Sequence, residues 1–221
     1  MRAVTVSWLF VLPALTACAP GPQPCNTPGT CARGYECLAN RCVPAGGEPV
    51  PAGSRRIVTE AARVAVVSSR AHPRAGKLPT AVVFGSRAEG SVGLYLDFEP
   101  TWLRGRPIES AFVLLDPMPG TPVGARDVRV EAWRVERAWD ERSLTWLQQP
   151  PLGRPHSQGI ARSAPPSVLR IDVTALARAI RNGTRSYHGI ALRSHDTGGV
   201  GASFSTGIGG GGAPRLEIYY R

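Results

Sequence analysis

Along most of the chain, apolar residues recur every second position in short runs bounded by glycine, proline and small polar residues. Val92, Leu94, Leu96 and Phe98 alternate with Gly93, Tyr95 and Asp97. That period is the one of a half-buried strand. Leu169, Ile171 and Val173 alternate in the same way with Arg170 and Asp172, and Ile108 to Leu115 is almost continuously apolar, as in a sandwich core. Further strands are predicted over Arg63 to Ser68, Thr80 to Phe84, Gly189 to Arg193, Ala202 to Thr206 and Arg215 to Tyr220. Asp127 to Val135 alternates but slips phase near Trp133, which predicts a β-bulge there. One segment has helical character, Thr174 to Arg181 (TALARAIR), and Asn182-Gly183 is a good C-terminal stop for it. Many short strands, a single short helix and frequent turns predict an all-β protein, an antiparallel two-sheet sandwich over residues 55–221.

The front of the chain follows other rules. After Met1-Arg2, residues 3–15 (AVTVSWLFVLPAL) carry no charge. The run is too short for a spanning helix and has the form of a secretory signal peptide over residues 1–17. Leu15-Thr16-Ala17-Cys18 resembles the lipobox of bacterial lipoproteins. The resemblance implies diacylglycerol on the Cys18 thiol, cleavage before it and acylation of the new amine. Two or more acyl chains hold stably to a membrane. The competing reading is an ordinary signal peptide with Cys18 left as an odd thiol. Ala19, where inner-membrane lipoproteins carry Asp, points by analogy to the outer membrane, on its periplasmic or cell-surface side.

Within residues 18–42, Cys25, Cys31, Cys37 and Cys42 are even in number, tightly spaced and in an oxidising compartment, which predicts two disulfides. Three pairings are open; Cys25–Cys37 with Cys31–Cys42 is the one favoured. So short a segment cannot bury a core, and the bridges would supply its stability. It is similar to the Cys-rich repeats near the start of many secreted bacterial lipoproteins. Zinc is the rival use, but the two Cys-x-x-Cys knuckles that such sites favour are missing. Residues 43–54 (VPAGGEPVPAGS) have no periodicity and read as a linker holding the main domain off the membrane.

Charge adds one question. The formal net charge is +10, almost all of it arginine, with Lys77 the single lysine. Anionic lipid, acidic polysaccharide and nucleic acid are the partner classes for such a surface, and export makes nucleic acid the least fitting. The arginines are dispersed rather than run together. No cofactor is expected. Gly207 to Gly212 satisfies G-x-G-x-x-G in form only, since Ala213-Pro214 follows in place of a helix.

Trp139-Asp140-Glu141-Arg142-Ser143-Leu144-Thr145-Trp146 with Pro150, then Asp172-Val173-Thr174, then Gly189-Ile190-Ala191-Leu192, Phe204-Ser205-Thr206 and Pro214 to Tyr220 occur in an order and spacing that resemble DNRLRE-type modules. The resemblance covers roughly residues 62–221. It implies a jelly-roll sandwich similar to a carbohydrate-binding module, without catalytic activity. Some members of that family accompany polysaccharide-degrading enzymes and some bind acidic polysaccharides such as alginate. The front departs from the pattern: Arg63 and Arg74-Ala75-Gly76 stand where the family has an Asp and an Asn-x-Gly turn, so ligand contacts there do not carry over.

The candidate ligand residues are Arg129, Arg170, Arg193 and Arg215, each opposite the apolar positions of its strand. If their strands share one sheet, they make a basic face for uronate carboxylates, each guanidinium offering a two-bond fork. Asp97, Glu131, Asp172 and Glu217 stand at comparable outward positions, so cross-strand salt bridges are the bland alternative. Trp139 and Trp146 suit sugar stacking, but fit the pattern better as core and turn residues. Asp140 and Glu141 are too close in sequence, as neighbours on a strand, to face each other as the carboxylate pair of a glycosidase. Asp172 or Thr174 is expected to cap the helix. The functional expectation is a non-catalytic carbohydrate-binding or adhesion module on the envelope. A structural or protein-interaction scaffold is the alternative, and a polysaccharide-degrading enzyme comes third.

Overall fold

Strand and helix follow the apolar periodicity closely. In the computed structural model the described residues are 35–38, 41–44, 54–70, 78–99, 106–118, 127–161, 168–183, 186–195, 198–208 and 211–221. In chain order they form β1 (Tyr35–Leu38), β2 (Arg41–Pro44), β3 (Arg55–Glu60), β4 (Arg63–Ser68), β5 (Ala81–Phe84), β6 (Val92–Asp97), β7 (Ile108–Leu115) and β8 (Val128–Val135). Then come β9 (Leu152–Ala161), β10 (Leu169–Asp172), α1 (Thr174–Arg181), β11 (Ile190–Ser194), β12 (Ala202–Ser205) and β13 (Arg215–Tyr220). The architecture is all-β. A four-stranded sheet has the order β10-β7-β13-β3 and a five-stranded sheet the order β4-β6-β11-β8-β9. Every pairing between these strands is antiparallel.

The two sheets share one apolar core. Leu94, Leu96, Val130, Ala132, Ile190 and Leu192 from the five-stranded sheet join Ala111, Val113, Leu115, Ile171, Leu216 and Ile218 from the four-stranded sheet. Their alternation along each strand is what sends the intervening residues to the outer faces. Fully burying each large aliphatic side chain contributes about 1.5–3 kcal/mol.

The sandwich is closed along both sides. On one, β3 turns into β4 through Ala61 and Ala62, whose N–H groups donate to Pro214 O (2.9 Å) and Asp97 O (2.7 Å). On the other, β9 lies along β10. The approach there is so close that a methyl at Gly159 would sit 2.8 Å from Ile171 Cγ1. The ends are plugged as well. At the Ile108 end α1 docks on β7: Val173 N–H donates to Ala111 O (2.8 Å), Thr174 Oγ1 accepts from Ala111 N (2.9 Å) and Arg178 Nε donates to Ile108 O (2.9 Å). At the Leu115 end the two-stranded ribbon β5–β12 covers the core with Val82, Phe84 and Phe204, tied by Ser205 N–H to Asp116 O (2.9 Å).

Several local expectations hold. The helix spans the predicted residues and Gly183 closes it at φ +68°; its N-cap, however, is Val173 with no side-chain cap bond, Asp172 Oδ1 accepting only the Thr174 N–H (2.8 Å) ahead of it. The register between β8 and β9 shifts at Ala132/Trp133, but the extra residue lies on β9; β8 itself keeps its alternation, and the apparent phase slip comes from Trp133 and Val135 joining an apolar cluster on the outer face. Strands β3 and β9 go beyond the predicted set. Asp140 and Glu141 lie on a turn rather than on a strand, with Asp140 O accepting the N–H groups of Ser143 (3.2 Å) and Leu144 (3.0 Å). The hairpin β1–β2 places Cys37 opposite Cys42 in the register, and Cys42 is disulfide-bonded. Cys18, Cys25 and Cys31, the signal segment, Lys77 and linker residues 45–53 lie outside the described residues.

Candidate ligand-binding face

The four arginines divide between the two sheets. Arg170 on β10 and Arg215 on β13 belong to the four-stranded sheet; Arg129 on β8 and Arg193 on β11 belong to the five-stranded sheet. All four point away from the shared core, as their phase requires, but the sandwich puts the two pairs on opposite outer faces. The single basic face that needs all four strands in one sheet therefore does not form.

On the four-stranded sheet the salt-bridge alternative prevails. Arg215 grips Asp116 with two hydrogen bonds of 2.6 Å each, and this bonding raises the Arg215 pKa above its ordinary value. Arg170 pairs with Glu217 across the intervening strand β7 and lies over the Phe112 ring at 5.0 Å. Arg56 on β3 meets the other carboxylate oxygen of Glu217. The Glu217 side chain is 0% exposed, against 16% for Arg170 and 45% for Arg56. Phe112 and Tyr219 pack edge-on beside it (ring centroids 6.3 Å). Burial and the Glu217 charge both push the Tyr219 phenol up.

The outer face of the five-stranded sheet is built differently. Ala65, Val67, Tyr95, Val135 and Ala191 form a second apolar cluster there, roofed by Trp139 and Leu144 from the β8–β9 connection, with Trp133, Trp146 and Leu152 half-buried at its margin. Trp139 anchors the roof: its Nε1 donates to His188 O (2.9 Å), its ring meets Tyr95 edge-on at 5.8 Å and Arg63 covers it at 5.1 Å. Gly189 follows His188 at φ +102°, and a methyl there would lie 2.6 Å from Leu96 O. Only glycine lets the chain pass under the indole.

Arg193 sits at the edge of this roof. Its guanidinium donates to Gln149 Oε1 and, at 3.4 Å, to the Tyr95 hydroxyl, and lies 5.7 Å from the Trp146 ring centroid. Tyr95 in turn donates to Gln149 Oε1 (2.8 Å). Burial pushes the Tyr95 phenol up and the Arg193 charge opposes that shift. Among the described residues Arg193 has no carboxylate partner, in contrast to Arg63, Arg170 and Arg215. Its cross-strand neighbours are Gly93 on β6 and Glu131 on β8, with exposed Arg129 two residues before Glu131. Beside Trp146, Leu147 stands 90% exposed.

Tyr95, Trp133 and Gln149 were not among the candidates read from the sequence. Outward phase on β6 marks Tyr95, and the phase slip marks Trp133. Gln149 carries no periodic signal, since it stands in a loop and meets Arg193 from 44 residues away. His188 and His195 stand in loops, and among the described residues no cluster of three His, Cys, Asp or Glu is placed to hold a metal ion. No protein-family model matches the chain, and no curated protein matches it.

Proposed function

We propose that the chain is an exported lipoprotein, anchored to the outer membrane through Cys18, whose sandwich is a non-catalytic carbohydrate-binding or adhesion module for acidic polysaccharide. The jelly-roll form and the glycan class come from the DNRLRE-type resemblance. The observation that carries the reading is Arg193: a half-buried cation held by two neutral groups, Gln149 and Tyr95, beside the half-buried Trp146 ring. A guanidinium so placed keeps its charge for an incoming carboxylate, and an indole face suits the C–H groups of a pyranose. Arg170 and Arg215 leave the ligand set, because Glu217 and Asp116 already neutralise them. Arg129 lies on the same outer face as Arg193.

The exported protein is expected to bind polyuronates more tightly than neutral glucans. That preference should weaken as salt shortens the screening length toward about 8 Å and below. Arg193→Ala should lower polyuronate affinity tenfold or more in a titration, while Arg215→Ala leaves it within twofold. Equal affinity for neutral and acidic glycans in the wild-type protein would reject the reading. For the anchor, Cys18→Ser should abolish labelling by palmitate analogues and leave the precursor uncleaved; normal labelling of that variant would remove the lipoprotein assignment.

A protein-interaction scaffold is the second reading. Leu147, 90% exposed beside the half-buried Trp146, favours it, because it extends the apolar margin of the outer cluster into solvent.

A further inference from the structure

We propose that Trp133 and Arg193 form a two-donor subsite for an oxyanion carried on the glycan, a carboxylate or a sulfate ester. The inference rests on the glycan-binding reading and names the chemistry that the face selects.

Two buried N–H groups on this face, Trp133 Nε1 and Arg193 Nε, have no acceptor among the described residues. A buried donor without a partner forfeits its hydration with nothing in return, so folded proteins rarely keep one without a use. Here the two are neighbours. Ala191 is the register partner of Trp133, and Arg193 that of Glu131, so Trp133 and Arg193 stand diagonally across β8 and β11. That diagonal is roughly 7–8 Å between backbones, within reach of an indole and a guanidinium. Unbroken alternation along β8 puts Trp133 and Val135 on the outer side with Glu131, opposite the core residues Val130 and Ala132, and there they join the second apolar cluster.

The floor fits the donors. Ala191, the buried register partner of both, lies between Tyr95 on one side and Trp133 on the other and sets only a methyl between the two rings. Gly93, beside Arg193, gives up its side chain in the same region; a methyl there would stand 3.8 Å from Arg193 Nε. The two orphaned groups are donors only. A hydroxyl oxygen satisfies such a pair weakly, whereas one oxyanion answers both donors and the Arg193 charge together. Glu131 is the group that works against this ligand. It faces Arg193 across the ladder and forms no ion pair with it among the described residues. Its carboxylate therefore repels an incoming anion, and its removal should favour binding.

The test uses the exported full chain and four probes: polygalacturonate, its methyl ester, dextran sulfate and dextran. Trp133→Phe keeps a ring and deletes the N–H; Arg193→Lys keeps the charge and deletes the Nε donor. Each should weaken binding of the preferred anion tenfold or more and leave dextran and the methyl ester within twofold. Glu131→Gln should tighten the anion several-fold. Polygalacturonate or dextran sulfate, whichever wild-type protein prefers, identifies carboxylate or sulfate as the source. In the wild-type protein, the indole N–H resonance that Trp133→Phe removes should shift downfield on adding the anion and stay in place with dextran. Wild-type anion affinity in Trp133→Phe, or an unmoved resonance, overturns the subsite. Equal losses for dextran and the anion overturn it too, since Trp133 would then be a stacking platform. Protein that binds dextran but neither anion rejects the subsite and leaves the glycan reading standing; protein that binds no probe rejects both.

Discussion

Glu217→Ala should lower the stability of the sandwich by about 3–5 kcal/mol, the cost of breaking a buried ion pair by removing one partner. For a chain of this size that is roughly 10 °C of melting temperature. The physical reason is the asymmetry around this carboxylate. Glu217 is fully buried on the outer side of β13, with Arg170 on one flank and Arg56 on the other. Removing it leaves Arg170, itself mostly buried, over the Phe112 ring with no countercharge. Arg56 is nearly half exposed and returns to water cheaply, so most of the loss belongs to Arg170. Replacing Arg170 and Glu217 together, by Met and Leu, should recover most of the stability, because well-packed apolar residues often replace a buried pair without loss. Thermal melts of the single and double variants decide the matter. A single-variant loss below about 1 kcal/mol, the range of an exposed pair, would mean the carboxylate is not sealed.

Trp139→Ala should cost a comparable ~3–5 kcal/mol, the usual range for emptying an aromatic site. Its effect should also spread further. Trp139 joins the β8–β9 connection to Tyr95 by ring contact, to His188 by hydrogen bond and to Arg63 through the cation above its face. With the indole gone, the segment carrying Trp146 and Gln149 loses its anchor, and Arg193 loses the neutral groups that hold it. Trp139→Phe separates the contributions: the ring stays and the hydrogen bond to His188 O goes, for about 1 kcal/mol. Polyuronate affinity should fall with Trp139→Ala and survive Trp139→Phe. Unchanged affinity in the alanine variant would mean that the loop holds its place without the indole.

The inter-sheet core was legible because several of its strands alternate cleanly and β7 is almost continuously apolar. Leu94 and Leu96, or Leu169 and Ile171, announce a buried side and an outer side without reference to any other part of the chain. Helix α1 was legible from TALARAIR and its Asn182-Gly183 stop. Strand β9 was not, since Gly153, Pro155 and Gly159 interrupt any pattern. Its place is fixed by pairing with β8 and by close packing on β10, which are tertiary facts. Strand β3 has two arginines and a glutamate in six residues and reads as polar chain; it is an edge strand, where charged side chains are tolerated and guard against further pairing. The outward phase of the four arginines was also readable. Their distribution over two sheets was not, because period-2 counting gives a side of a strand and says nothing of which sheet that strand joins. Burial of Glu217 was hidden for a related reason. Its sealing residues lie 47 positions away in Arg170 and on the edge strand in Arg56.

The position of β3 has a mechanical meaning. Force reaching the sandwich at residue 54 is carried first by this strand, which among the described residues pairs only with β13. The two run antiparallel, and Arg55 opposite Tyr220 is the first rung to carry the load. Behind it stand the Ser54–Glu109 hydrogen bond and the Arg56–Glu217 ion pair, which tie the strand's beginning to β7 and β13. A load across the strands would test these ties one at a time, as in unzipping; a load along them would shear all the rungs together. Under the proposed anchoring, the Glu217 carboxylate would be the first strong rivet on that load path, and weakening it should lower the rupture force without altering the opposite outer face.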